Sequence, residues 1–194
     1  MDIYALTHRG KVREQNEDCI YLSQEGYPYL AIVADGMGGH VAGQVASSRA
    51  VAFVRKRLER YDLNAITKEQ LKALVEEASD YILELANEEE AYKDMGTTFT
   101  AAIIREKSAI LAHIGDSRAY TFSGGVLKQV SHDHSYVQFL VDKGYLSEEE
   151  AEKSPYRNII TRAVGMEEAE AEAYEVSFEQ GERLLLCSDG LTAH

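Results

Sequence analysis

The sequence predicts an α+β sandwich. Strand-like apolar runs gather towards both ends of the chain, and two long amphipathic helices lie between them. Residues 97–130 read as consecutive antiparallel strands. The regular strand–helix alternation of a parallel doubly wound sheet is absent.

Taken in order, the first strand is CIYL (19–22) and the second YLAIVA (29–34). A helix follows over His40 to Arg60, with Ala42, Val45, Ala46, Phe53, Val54 and Leu58 on one broad face. Thr67 and Gln70 form a capping box that opens a second helix. Leu71, Leu74, Val75, Ala78, Ile82 and Leu85 supply its apolar stripe. The runs TTFTAAII (97–104), AILAHIG (109–115) and RAYTF (118–122) are strands, with REKS and SGG as turns. SYVQFLVDKG forms a short helix ending at Gly144, and Ser147 with Glu150 caps another. RLLLC (183–187) is the last strand. It stands so near His194 that a C-terminally incomplete chain is expected. No Pro/Ser-rich linker or repeat divides residues 1–194, so one domain is expected.

Composition removes several function classes. With 45% hydrophobic residues the 194-residue chain has the makings of a sizeable core. A net charge of −13 disfavours nucleic acid as a partner, because an acidic surface repels the phosphate backbone. Cys19 and Cys187 stand in unrelated contexts, which suits a reducing compartment and excludes a cysteine-rich zinc site. MDIYALTHRG lacks a signal-peptide core, and no run is long enough to span a bilayer. A cytoplasmic location without membrane insertion is expected, and nothing suggests an oligomer.

The stretch AIVADGMGGHVAGQVA (31–46) looks first like a phosphate-cradling loop. Counting from Gly36, however, a dinucleotide fingerprint meets Val41 where its third glycine belongs. Asp35 would also face a pyrophosphate with like charge. Comparison of strand ends gives a better reading. Asp35 follows AIVA, Asp116 follows AHIG, Asp189 follows LLLCS, and Asp18 precedes CIYL. Any one of these is an ordinary turn aspartate. Four together, with glycine or serine companions, suggest hard oxygen donors converging on Mg²⁺ or Mn²⁺, with the Gly36 carbonyl as a further ligand.

Paired hard cations lower the pKa of a bridging water and present hydroxide to an electrophile. Arg13 lies five residues before Asp18, and its planar fork matches phosphate oxygens two at a time. Spacing alone favours an ordinary surface arginine in a charged stretch. His40 is either a general acid for a leaving alkoxide or simply a helix-start residue. Neither cysteine has an arginine six residues later, and no D-x-D follows a strand, so covalent phosphoryl routes are not suggested. His132 and His134 in SHDHSY read as structural, since that segment enters a helix.

RxxNED (13–18), VADGMGGH (33–40), GTTFTAAII (96–104), HIGDSRAY (113–120), SHDHSYV (131–137), NIITRAVG (158–165) and LLLCSDGLT (184–192) occur in one order. That order resembles the metal-dependent protein phosphatases of the PPM (type 2C) family, in particular their bacterial members. The resemblance covers essentially the whole chain. It implies an α-β-β-α sandwich with a metal site in the cleft between two antiparallel sheets. It further implies that Asp35 and the Gly36 carbonyl bind the metals, that Asp189 holds a second, and that Asp18 supports the cluster. Asp116 would help form a third, weaker site and Arg13 would clamp phosphate. A flap would span roughly residues 144–158. The implied activity is hydrolysis of phosphoserine and phosphothreonine by a metal-bridging hydroxide, with two Mn²⁺ or Mg²⁺ ions. Phosphoproteins and a cognate serine/threonine kinase would be the partners of a monomer. Met37 stands where many eukaryotic members carry histidine, which leaves proton donation to His40 or to water. The family chain also continues to another metal-binding aspartate, so a weakly active or non-catalytic regulatory module is the alternative expectation.

Overall fold

A computed structural model describes residues 1–23, 26–167 and 169–192, apart from the side chain of His40. Five strands form an antiparallel sheet in the order β1 (Asp18–Leu22), β2 (Tyr29–Met37), β4 (Phe99–Ile104), β5 (Ser108–Ile114) and β8 (Glu172–Ser177). The short β3 (Gly96–Thr97) adds to the end of β2. A second sheet has the order β7 (Val126–Gln129), β6 (Arg118–Ser123) and β9 (Arg183–Cys187).

The helices α1 (His40–Leu58) and α2 (Lys68–Glu88) cover one face of the first sheet. Thr67 accepts from the Gln70 backbone while the Gln70 side chain accepts from Thr67, so the expected capping box is present. The stripe Leu71, Leu74, Val75, Ala78 and Ile82 is buried as its spacing predicts. Ser135 caps α3 (Tyr136–Asp142), and Ser147 with Glu150 boxes α4 (Glu148–Glu152). A one-turn α5 spans Asp189–Thr192.

Strand alternation explains the layering. On β4, Phe99, Ala101 and Ile103 join the helix-side core, whereas Ala102 and Ile104 join a smaller core between the sheets. β4 is therefore buried on both faces, and its sequence is nearly all apolar. On β2, Leu30, Ile32 and Ala34 face the helices, which leaves Ala31, Val33 and Asp35 on the row between the sheets. Burying a side chain such as Phe99 contributes about 1.5–3 kcal/mol.

Three readings shift. β2 runs through Asp35 and Gly36 to Met37, so the acid lies within the strand rather than beyond it. The run at 97–104 is interrupted at Thr98, which separates β3 from β4. β8 was not anticipated, because the acidic EAEAEAYEVS masks its alternation. Tyr174 and Val176 point into the inter-sheet core while Glu175 and Ser177 stay exposed, the pattern of an edge strand. Among the described residues, no helix is long and apolar enough to cross a membrane.

Candidate metal centre

Asp18 and Asp35 face each other in register across antiparallel β1 and β2. Directly opposed side chains share one face with Cβ atoms about 5 Å apart. β9 delivers its end to the same place: the Ser188 hydroxyl donates to the Asp18 carboxylate at 3.0 Å. The next residue, Asp189, comes close enough to the Asp35 carboxyl to raise its pKa. Asp116 sits in the turn where the chain leaves β5 for β6, and so passes from one sheet to the other. Asp189 and Asp116 both act on Asp35 electrostatically. Four aspartates separated by up to 171 residues thus share one neighbourhood at the inter-sheet ends of their strands.

The electrostatics are those of crowded acids. Burial, then the charges of Asp18 and Asp189, push the Asp35 carboxyl up to about 8. Burial and Asp189 raise Asp116 to about 6, helped by Asp133. Without a cation the cluster retains protons near neutrality. Among the described residues, no three acidic, histidine or cysteine side chains form a ready-made cage for an ion. The cluster is an open one, and a cation there would also draw on the Gly36 carbonyl and on water. Its all-oxygen, carboxylate-rich donor set fits a hard divalent ion, and uncompensated repulsion is what such an ion relieves.

The raised Asp35 value has a consequence for the metal-free protein. The folded state holds this proton more tightly than the unfolded state, where the ordinary value is 3.8. The associated stability is complete below pH 4 and disappears as pH rises towards 8. A progressive fall in stability and in Tm is expected across that window. Thermal melts in EDTA test this: Asp35→Asn should flatten the slope and Mn²⁺ should restore stability at the alkaline end.

Arg13 lies on the loop before β1, 65% exposed, with its guanidinium 3.7 Å from Glu17. That loop is anchored to the cluster, since the Glu17 carbonyl accepts from Gly36 N–H at 3.2 Å and from the Ser47 hydroxyl at 2.7 Å. The pair with Glu17 is too exposed to hold the arginine firmly. His40 is the first residue of α1, and its side chain lies outside the described residues. A cleft of about 530 Å³, lined by the N-terminal residues 3–8 and by strands of both sheets, touches the acid cluster at Asp18 and is otherwise lined largely by apolar residues such as Ile20, Val33 and Leu186.

The sequence reading placed His134 correctly as structural but did not foresee the other supporting contacts. Arg118 grips Asp133 through two nitrogens, at 2.8 and 2.7 Å. The Ser131 hydroxyl accepts from Ala119 N–H at 2.9 Å. His134 is buried; its Nδ1 accepts from Gly115 N–H and its backbone N–H donates to the Gly115 carbonyl. His113 is fully buried between the Thr100 hydroxyl and the His132 carbonyl, and burial lowers it to about 3, so it stays neutral. The SHDHS segment therefore underpins the Asp116 turn. For Ser188, its position beside Asp189 was the signal the sequence offered.

Comparison with known proteins agrees with this picture. The protein phosphatase 2C family model matches residues 7–194. The chain is 39% identical over 193 residues to serine/threonine phosphatase Stp of Listeria monocytogenes, covering 96% of this chain and 76% of that one. The crystal structure of serine/threonine phosphatase Stp1 from Staphylococcus aureus superposes with a TM-score of 0.87 at 35% identity, covering 97% and 76% of the two chains. The catalytic domain of PstP in complex with two manganese ions superposes with a TM-score of 0.82 at 38% identity, covering 96% and 76%. With two antiparallel sheets, acids from four separate segments meeting at their ends and a match over nearly its whole length, this chain belongs to the protein phosphatase 2C family.

Proposed function

We propose that residues 1–194 act as one protein serine/threonine phosphatase domain that hydrolyses phosphoserine and phosphothreonine esters. The observation that carries this reading is the meeting of Asp18, Asp35, Asp116 and Asp189. Asp35, Asp189 and the Gly36 carbonyl are assigned to two Mn²⁺ or Mg²⁺ ions, Asp18 to their support, and Asp116 to a third, weaker position. Such ions, when bound, supply acidified water and neutralise phosphoryl charge.

The remaining tasks fall to the chain. Arg13, exposed on the loop that precedes β1, binds phosphoryl oxygens through its fork and balances charge as the P–O bond breaks. The serine or threonine oxygen leaves with a proton from His40 or a water, giving a free hydroxyl and inorganic phosphate. Residues 144–158, which carry exposed Tyr145 and Tyr156, act as the flap near the substrate. Phosphorylated proteins, among them a cognate serine/threonine kinase, are the proposed substrates of a cytoplasmic monomer.

A phosphopeptide assay tests the reading. Turnover is expected with Mn²⁺ and is expected to vanish in EDTA. Equal turnover under both conditions overturns it. Phosphopeptide binding without turnover in Mn²⁺ would instead identify a non-catalytic module.

A further inference from the structure

We infer that Thr98 and Ser117 are positioning residues: their hydroxyls tie the Asp35 strand end to the Asp116 turn and set the spacing between those two acids. This rests on the metal-dependent phosphatase reading and adds a role for two buried hydroxyls behind the acids.

Register places Thr98 opposite Asp35, between the pairs Val33↔Thr100 and Gly36↔Thr97. A regular antiparallel pair here would exchange two backbone hydrogen bonds. Only one is made, from Thr98 N–H to the Asp35 carbonyl at 2.9 Å. The other half is replaced: Asp35 N–H donates to the Thr98 hydroxyl oxygen at 2.9 Å. The Thr97 hydroxyl also donates to the Asp35 carbonyl, at 2.9 Å. Both backbone groups of Asp35 are thus held by residues 97–98, which explains why the strand breaks at Thr98.

The same Thr98 oxygen lies 2.8 Å from the Ser117 hydroxyl. Thr98 and Ser117 are 1% and 0% exposed, so water does not compete for this contact. Having accepted from Asp35 N–H, the Thr98 hydroxyl has its own hydrogen available for Ser117. The connection from Asp35 to the residue beside Asp116 is one unbroken chain of hydrogen bonds. Packing presses the two sides together as well. A Cβ at Gly115, whose φ is +109°, would stand 2.6 Å from Thr98 Cβ. Only glycine admits that approach.

A buried hydroxyl pair of this kind is expensive to break, because each partner left alone keeps its desolvation cost. Groups that orient metal-binding side chains commonly change metal affinity by 10–100-fold when removed. Thr98→Val keeps the shape and deletes the hydroxyl, Thr98→Ser keeps the hydroxyl, and Ser117→Ala removes the partner. The test is Mn²⁺ calorimetry on the whole chain, with phosphopeptide kinetics at low and saturating Mn²⁺ and a thermal melt of each variant in EDTA.

Thr98→Val is expected to raise the Mn²⁺ Kd about tenfold or more. Its turnover should fall most at low Mn²⁺ and recover in part at saturation. Thr98→Ser should stay close to the parent. Ser117→Ala should shift Mn²⁺ affinity in the same direction, and the Thr98→Val/Ser117→Ala double variant should add little to the larger single effect. A Thr98→Val chain that melts lower but binds Mn²⁺ like the parent shows a purely structural role and overturns the inference. So does full additivity of the two substitutions. If the parent chain binds no Mn²⁺, the phosphatase reading itself fails, and the tie falls with it.

Discussion

Asp35→Asn is expected to reduce phosphopeptide turnover by about 10³-fold at saturating Mn²⁺, on the order of 4 kcal/mol of transition-state stabilisation. Asparagine keeps the size and one carbonyl oxygen but cannot offer a charge to two cations. Mn²⁺ affinity should weaken in the same variant. The folded metal-free protein should not suffer. Burial and the neighbouring acids already push the Asp35 carboxyl up to about 8, so at neutral pH it is mostly the uncharged acid that asparagine imitates. In EDTA its Tm is expected to equal or exceed the parent's. Turnover within about tenfold of the parent would contradict the assignment of Asp35 as a principal ligand. A collapse of the metal-free fold would show that this carboxyl serves structure instead.

Gly36→Ala should act in the opposite way, through the fold first. Gly36 lies on the helix-facing row of β2, and a Cβ there would sit 2.1 Å from the Gly43 carbonyl oxygen and 2.8 Å from the Glu17 carbonyl oxygen. Both obstacles are backbone, so no side chain can rotate away. Either α1 moves off β2 or the Glu17 loop that carries Arg13 is displaced. A loss of about 3 kcal/mol, some 6–12 °C in Tm, is expected, with activity lost even at high Mn²⁺. Gly190→Ala is the control, since its Cβ would meet nothing nearer than the Ser188 hydroxyl at 3.6 Å. An unchanged melt for Gly36→Ala would mean that α1 and β2 are less closely docked than the contact implies.

The two substitutions separate contributions that lie one residue apart. Asp35 points between the sheets, where charge is gathered for chemistry. Gly36 points at the helix, where the absence of a side chain lets α1 lie close to the strand. Strand alternation alone assigns the two roles.

Much of this was legible in the chain. The helices declared themselves through apolar spacing and through the caps at Thr67 and Ser147, because both signals are local: a turn of helix reads only its own neighbours. The same locality made β4, β5 and β9 visible as apolar runs, and marked Asp18, Asp35, Asp116 and Asp189 as acids at strand ends. The ordered motifs around them carry the family resemblance in sequence alone. What the chain could not express was pairing. β8 escaped because an edge strand needs only one apolar face, and its acidic residues outweigh Tyr174 and Val176 in any local window. The extension of β2 through Asp35 depends on β3 docking beside it, which no local pattern encodes. The contact of Thr98 with Ser117 joins residues 19 apart across a turn, and that of Ser188 with Asp18 joins residues 170 apart. Residue types and periodicity therefore determined the helices, the apolar strands and which side chains have the chemistry. Sheet register decided that Asp18 meets Asp35, and the packing of one sheet on the other brought Asp116 and Asp189 to them, because tertiary pairing sets distances that sequence separation does not.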